Sequence, residues 1–175
     1  FDSDDLSALK TGSMRVQVDK LAQKDVWQSD SITGKNKTDT VDQGILNIAL
    51  GSGTATPIDT NGKTYSQIVA EINKISGVQA SLVEDSTGNF RLSIKSTETG
   101  SANKINFTGS DSSALEHFGF NKEANNVLKA QDMELRADGV NYSSSSNTIT
   151  IDGLKITATK ETGDSTINIE NDTTT

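Results

Sequence analysis

The sequence predicts an α+β fold that is mostly β, arranged as two small β-rich domains, one of which carries a single packed helix and is inserted into the other. Only 32% of the 175 residues are hydrophobic. Ser, Thr and Asn take their place, and this composition favours short strands and turns over helical bundles. Apolar residues alternate with polar ones in several short runs, which is typical of half-buried strands. Only one stretch has a clear helical period.

The first strand is predicted near the N-terminus. Met14, Val16 and Val18 alternate with polar residues, as in a strand with one buried face. The stretch 29–42 that follows has almost no apolar residue. We interpret it as a loop that crosses between the two domains.

The next block begins with a predicted hairpin. Leu46, Ile48 and Leu50 lie on one face of a strand at 44–50, and a second short strand is expected at about 55–59. The Gly-Ser-Gly sequence at 51–53 separates the two strands, so we expect them to pair in antiparallel fashion.

One clear helix is predicted over Tyr65–Ser76. Its apolar residues recur at three- and four-residue spacing and form one stripe, made of Tyr65, Ile68, Val69, Ile72 and Ile75. Thr64 and Gln67 match a capping box at the helix start, and Gly77 stands where a left-handed C-cap is expected.

Short strands are predicted for most of the remaining chain. Alternating runs at 78–82 and 90–94 predict a second hairpin, 105–107 predicts one more strand, and 113–118 predicts one or two helical turns. The last block is predicted to be all strand, with a turn at Asp138-Gly139. Its strands are expected at 133–137, from Tyr142 onward, and at 148–151, 154–159 and 165–170.

Two domains follow from this order of elements. The strand that carries Val16 and Val18 needs partner strands, and the C-terminal block can supply them. We therefore predict a discontinuous outer all-β domain, 1–42 plus 129–175, and an inserted α+β domain, 43–128.

Composition excludes several kinds of site. The chain has no cysteine, which excludes disulfide frameworks, Cys-ligated zinc and thiol catalysis. A single histidine excludes His-cluster metal sites. A net charge of −8 without a basic cluster argues against nucleic-acid binding, and no apolar run approaches the ~18–20 residues that span a bilayer. We predict no cofactor, no metal, no nucleic-acid partner and no membrane partner.

The titratable residues do not form a predicted catalytic set. His117 follows Glu116, which is superficially similar to a general base with its orienting carboxylate. Adjacent helical residues point about 100° apart, so we interpret His117 as a structural residue, partly buried or on the surface. Two groups of clustered acids lack a second acid in a defined pocket and are interpreted as solvated surface. They are Asp2, Asp4 and Asp5, and the pair Glu84-Asp85.

Two short motifs are interpreted as turns, the first of them as a hairpin turn. Residues 59–62 (Asp-Thr-Asn-Gly) are similar to part of a calcium-binding loop, but with Gly62 at the sixth position two essential ligands are missing. Residues 51–53 follow a strand, as a phosphate-binding loop does. Neither a third glycine nor Gly-Lys-Ser/Thr follows them.

Trp27, the only tryptophan, has two interpretations. It could anchor a partner at an interface, because aromatic residues dominate interface hot spots. A lone tryptophan more often packs the core of a small domain, and we favour that interpretation.

Three stretches, taken together in their order and spacing, carry a family resemblance. Residues 14–23 form an alternating strand that ends in Leu-Ala-Gln. Residues 65–105 include Arg91–Gly100, similar to the "flagellin hook IN" segment of flagellar axial proteins. Residues 130–154 include Asp-Gly-Val, Ser-Asn-Thr-Ile and Asp-Gly-Leu. Together they resemble the bacterial flagellar filament-capping proteins (hook-associated protein 2, FliD type).

The resemblance implies a non-enzymatic structural cap at the distal end of the flagellar filament, outside the cell, that promotes flagellin folding and polymerisation. It implies export by the flagellar type III apparatus and partners that are flagellin and further copies of the protein in a multi-subunit ring. The chain is expected to be an excised head, with the outer domain D2-like and the inserted domain D3-like. An alternative from the residues is a surface adhesin or glycan-binding β domain.

Overall fold

The structure, a computed structural model, describes residues 13–161 and 165–168. The chain divides into two units. Unit 2 is the continuous segment Lys24–Ala130, and unit 1 is formed by the chain up to Gln23 and from Gln131 onward. Most described elements are strands, which confirms the predicted fold class.

Thirteen strands and two α-helices are assigned within the described residues. In chain order they are β1 (Ser13–Lys20), β2 (Val26–Gln28), β3 (Ile45–Leu50), β4 (Thr56–Asp59), α1 (Tyr65–Ile72), β5 (Val78–Glu84), β6 (Phe90–Ser96), β7 (Ile105–Asn106), α2 (Ser112–Phe118), β8 (Asn126–Leu128), β9 (Met133–Ala137), β10 (Val140–Ser144), β11 (Thr148–Ile151), β12 (Leu154–Thr157) and β13 (Ser165–Asn168). Short 3-10 helices lie at Ser101–Asn103 and Glu123–Asn125.

Unit 1 is built on a four-stranded antiparallel sheet in the order β10-β9-β1-β13. Strand β1 lies between β9 and β13, so the predicted pairing of the first strand with the C-terminal block is confirmed. Val16 and Val18 pack in one buried cluster with Met133 and Leu135. Strands β11 and β12 form a separate two-stranded sheet.

The hairpins β9–β10 and β11–β12 of unit 1 close on turns of the same type. Asp138 and Gly139 have φ angles of 49° and 82°, and Asp152 and Gly153 have 51° and 81°. Two successive residues with positive φ characterise a type I′ turn, and Asp-Gly suits it because both residues tolerate the left-handed region. The turn predicted at Asp138-Gly139 is confirmed.

The two segments of unit 1 meet where unit 2 is inserted. Gln23 and Gln131 form an isolated antiparallel bridge, with N–H to carbonyl distances of 2.9 and 3.3 Å. The Gln131 side-chain amide also donates to the Leu21 carbonyl over 2.7 Å. The strands that lead to and from the insertion are therefore held side by side.

Unit 2 contains two sheets, β5-β6-β2-β8 and β4-β3-β7, together with both helices. The hairpins β3–β4 and β5–β6 are antiparallel, as predicted. Side chains from the sheets and the helices form one buried cluster. Its fully buried members include Leu46, Ile48, Ile58, Tyr65, Ile68, Ile72, Phe90, Leu92, Ile94, Ile105 and Phe118.

Helix α1 begins where the sequence predicts and ends earlier. The Thr64 hydroxyl accepts the Gln67 N–H, and the Gln67 side chain accepts the Thr64 N–H, which confirms the capping box. The helix ends at Ile72 instead of Ser76, and its C-cap is Asn73 instead of Gly77. The Asn73 side chain bonds both the N–H and the carbonyl of Ala80, at 2.7 and 3.0 Å. These bonds tie the helix end to β5.

The segment 24–42 belongs to unit 2, although we predicted it in the outer domain. It contributes strand β2 and buries Ile32 and Val41. The Ile32 N–H donates to the Phe90 carbonyl over 2.7 Å, beside β6. The interpretation of 29–42 as a crossing loop is therefore corrected: this polar segment is held by backbone hydrogen bonds and two apolar side chains.

Candidate functional site

Asp25 lies at the start of unit 2 with its carboxylate fully buried. Its Oδ2 accepts the Trp27 Nε1–H at 3.1 Å and the Ile105 N–H at 2.8 Å. Its Oδ1 accepts the Asn126 Nδ2–H at 3.2 Å and the Ala130 N–H at 2.9 Å. A buried carboxylate needs such donors, because its removal from water is costly. Three donors lie on β2, β7 and β8, and the fourth, Ala130, is the last residue of unit 2. The Asp25 side chain therefore links the start and the end of unit 2 by hydrogen bonds.

Trp27 lies in the core of unit 2. Its side chain is 6% exposed. The indole packs edge-on against Phe107 and Phe120, with ring centroids 5.1 and 6.1 Å away. Its Nε1–H donates to Asp25, so the apolar and polar parts of the ring both have partners within the unit. This position matches the core interpretation and leaves little of the ring accessible for the interface interpretation.

His117 lies half-buried in the last turn of α2. Its Nε2 is 2.8 Å from the hydroxyl of Tyr65, which is 1% exposed. Burial, and to a smaller extent Lys35, lowers the pKa of His117, whereas burial and Asp39 raise the pKa of Tyr65. Both shifts favour the neutral forms. Glu116 is exposed, and the group that contacts the imidazole is a phenol, as suits a structural histidine.

Both motifs are turns, but the interpretation of residues 59–62 as a hairpin turn is wrong, because a helix and not a strand follows. Residues 59–62 join β4 to α1, and the Asn61 N–H donates to the Asp59 carboxylate over 3.0 Å. Residues 51–53 join β3 to β4, with the Gly53 N–H donating to the Leu50 carbonyl over 2.8 Å.

The neighbouring acids Glu84 and Asp85 have separate partners. Glu84 forms an ion pair with Lys37 at 2.7 Å. Asp85 accepts the side-chain hydroxyl and the N–H of Thr87, and these bonds lower the pKa of Asp85. The two carboxylates therefore do not converge on one point. The other predicted acids, Asp2, Asp4 and Asp5, lie outside the described residues.

Across 13–161 and 165–168, no three metal-ligating side chains are grouped so that they could hold a metal ion. In the same part of the chain, no helix has the length and apolar character needed to cross a bilayer.

Large apolar side chains are exposed at both edges of the four-stranded sheet of unit 2. Val83, on β5, is 47% exposed, whereas Val127 and Leu128, on β8, are 52% and 39% exposed. An edge strand presents unpaired backbone groups, and exposed apolar side chains beside them favour association with another chain. We call these two surfaces the β5 edge and the β8 edge.

Sequence reasoning missed the role of Asp25 and the β8 edge. Asp25 bonds residues that are 80 to 105 positions away, which no local pattern reports. Val127-Leu128 is only a two-residue apolar run. One signal was present in the sequence. Asp25 and Trp27 are two positions apart, so in a strand the acid lies on the same face as a large apolar residue.

The chain is similar in sequence and in fold to flagellar proteins. No model of a known protein family matches the chain. The curated flagellar hook-associated protein 2 of Campylobacter jejuni is 26% identical over 213 aligned residues, which cover 95% of this chain and 32% of that protein. The D2-D3 domains of the flagellar cap protein FliD from Escherichia coli are 25% identical, with a TM-score of 0.68 over 89% of this chain and 87% of that one.

A further solved structure shares the fold. FliD (HAP2) from Pseudomonas aeruginosa PAO1 has a TM-score of 0.67 at 24% identity, over 93% of this chain and 81% of that one.

The chain thus has the fold of the D2-D3 domains of flagellar cap proteins. The resemblance to hook-associated protein 2 and to FliD, predicted from the sequence, is confirmed. The chain spans about one third of the length of the curated relative that it matches.

Proposed function

We propose that this chain is the head of a protein that caps the distal end of the bacterial flagellar filament, outside the cell, and promotes flagellin folding and polymerisation. Unit 1 corresponds to D2 and unit 2 to D3 in this proposal. The observation that carries it is the joint likeness in sequence and in fold to one region of cap proteins, over 95% and 89% of the chain. The role is one of shape and contact, without catalysis.

We further propose that copies of the full-length protein associate into a ring through unit 2. The β5 edge and the β8 edge bound the same sheet. Contact between the β5 edge of one copy and the β8 edge of the next is head-to-tail, and such contacts form a ring when their rotation closes. Flagellin is the client of this ring.

A chimera tests the proposed function. The D2-D3 region of the Escherichia coli cap protein is replaced by this chain, and the chimera is expressed in a strain that lacks its own cap protein. We expect longer filaments and less flagellin monomer in the medium than in the strain without a cap protein. Filaments as short as those of that strain, with a stable and exported chimera, would contradict the proposal.

The chimera, together with a binding assay on the isolated chain, separates the cap function from the adhesin alternative. A surface adhesin or glycan-binding domain predicts saturable binding of mucin or oligosaccharide by the isolated chain and no rescue of filament growth. None of the relatives described above is named for adhesion.

Introducing a charged side chain at the β5 edge or at the β8 edge tests the proposed ring. In the full-length protein, Val83→Lys and Val127→Lys each place a charge on one edge, and light scattering measures the size of the assembly. Val140→Lys is the matched control, because Val140 is 53% exposed on β10, a strand of unit 1 that belongs to neither edge. We expect smaller assemblies for the two edge variants only. Unchanged assemblies for both would refute the edge contact.

A further inference from the structure

The turn between β4 and α1 brings two polar groups against one Asn-Gly pair. Asn61-Gly62 is the only Asn-Gly sequence in the chain, and both residues are exposed. The Gly62 N–H donates to Asp42 Oδ1 over 2.7 Å. The Asn61 Oδ1 accepts the Gly44 N–H over 3.1 Å.

We propose that Asn61 is a site of self-modification, at which the Gly62 backbone nitrogen attacks the Asn61 side-chain amide and Asp42 acts as the base. The product is a succinimide, which opens to aspartate or isoaspartate.

The reaction balances without any cofactor. The Gly62 nitrogen gives its proton to the Asp42 carboxylate and forms a bond to Asn61 Cγ. The C–N bond of the side-chain amide then breaks, and its nitrogen takes up the proton and leaves as ammonia. Water afterwards adds to one of the two ring carbonyls, and the C–N bond at that carbonyl breaks. No atom is oxidised or reduced.

The position of Asp42 suits a base. A general base must lie within about 2.6–3.2 Å of the atom whose proton it removes, and the distance here is 2.7 Å. The second oxygen of Asp42 accepts the Thr40 hydroxyl over 3.0 Å, which fixes the carboxylate. The bond from Gly62 and then that from Thr40 lower the pKa of Asp42, so the carboxylate is ionised near neutral pH.

The position of Gly44 suits stabilisation of the intermediate. Negative charge develops on Asn61 Oδ1 as the new bond forms, and a backbone N–H at about 2.7–3.1 Å from such an oxygen stabilises it. Gly62 itself has no Cβ beside the attacking nitrogen, and an added Cβ would find nothing within 4 Å, so the site is open.

Modification would change the turn. Aspartate at position 61 adds a negative charge near the carboxylate of Asp59, which accepts the N–H of this residue. Isoaspartate lengthens the main chain by one carbon just before α1. Either product weakens the connection between β4 and α1, and neither can revert to Asn61 spontaneously.

The test compares the folded chain with the same chain in guanidinium chloride at neutral pH. Peptide mass spectrometry follows the exchange of NH2 for OH at Asn61 over time. We expect faster conversion in the folded chain by roughly tenfold, below the 10²–10⁴ that optimised general bases contribute. Asn47, which precedes Ile48, is the internal control and should stay intact. Equal or slower conversion in the folded chain would overturn the proposal.

Two variants test the base. Asp42→Asn should slow the folded-state conversion to the rate in guanidinium chloride. Asp85→Asn removes the same charge from another turn of unit 2 and should leave the rate unchanged. Trp27 fluorescence shows whether each variant is folded. An Asp42→Asn chain that is folded and reacts at the wild-type rate would refute the role of Asp42, and if that variant does not fold, the wild-type comparison decides.

Discussion

Replacement of Asp25 by Asn tests how much of the stability of unit 2 depends on one buried carboxylate. The variant keeps the shape of the side chain but turns one acceptor oxygen into an NH2 donor. The donors on Oδ2 are Trp27 and Ile105, and those on Oδ1 are Asn126 and Ala130. Whichever way the amide turns, one of these pairs faces another donor.

The expected loss follows from the two donors left without an acceptor. Each costs about 1–3 kcal/mol when buried, and together they cost about 2–6 kcal/mol. Neutralisation of the buried charge removes part of the desolvation penalty, so we expect a loss of about 3 kcal/mol in the free energy of unfolding. That is a large share of the roughly 5–15 kcal/mol typical of a folded domain.

Urea unfolding followed by Trp27 fluorescence measures this loss in unit 2, because Trp27 is the only tryptophan. The unfolding midpoint should fall with an unchanged slope, since the exposed surface does not change. Glu116→Gln is the control: it removes the same charge from an exposed position on α2 and should change the free energy by less than about 0.5 kcal/mol. An Asp25→Asn chain as stable as this control would refute the reasoning.

Two further predictions concern unit 2. Gly119→Ala should destabilise it more than Gly34→Ala, because both glycines have positive φ but only at Gly119 would a Cβ overlap a side chain, that of Asp30; the control should lose about 1–2 kcal/mol, and equal losses in urea titrations would refute the steric argument. Because burial and Lys35 lower the pKa of His117, the unfolded chain binds its proton more readily, and stability should fall as the pH drops below about 6.5. His117 is the only histidine, so His117→Gln should flatten the pH dependence of unfolding between about pH 5.5 and 7, and an unchanged dependence would contradict this assignment.

The Asp138-Gly139 turn and the N-cap of α1 were predictable from the sequence because they depend on neighbouring residues. A type I′ turn needs two successive positive φ angles, and Asp138-Gly139 meets that need by itself. The capping box of α1 is formed by Thr64 and Gln67, three positions apart. In such cases the local pattern and the tertiary fold favour the same conformation.

Features fixed by distant partners were not predictable. The apolar period of α1 continues to Ile75, but Asn73 bonds the main chain of Ala80 and the helix ends at Ile72. Strand β2 has only three residues, too few for a visible alternation, and it exists because β6 and β8 pair with it from both sides. The donors to Asp25 from Ile105, Asn126 and Ala130 were not predictable for the same reason, because they are 80 to 105 positions away in the sequence.

The bridge between Gln23 and Gln131 makes the insertion point a stem with two adjacent strands. The entropy of closing a loop grows slowly with its length, so the stem tolerates loops of very different size. A domain whose own termini lie side by side can therefore be grafted between these two glutamines while β1 and β9 keep their register. In engineering terms, the four-stranded sheet of unit 1 is a scaffold that presents whatever domain is inserted between Gln23 and Gln131.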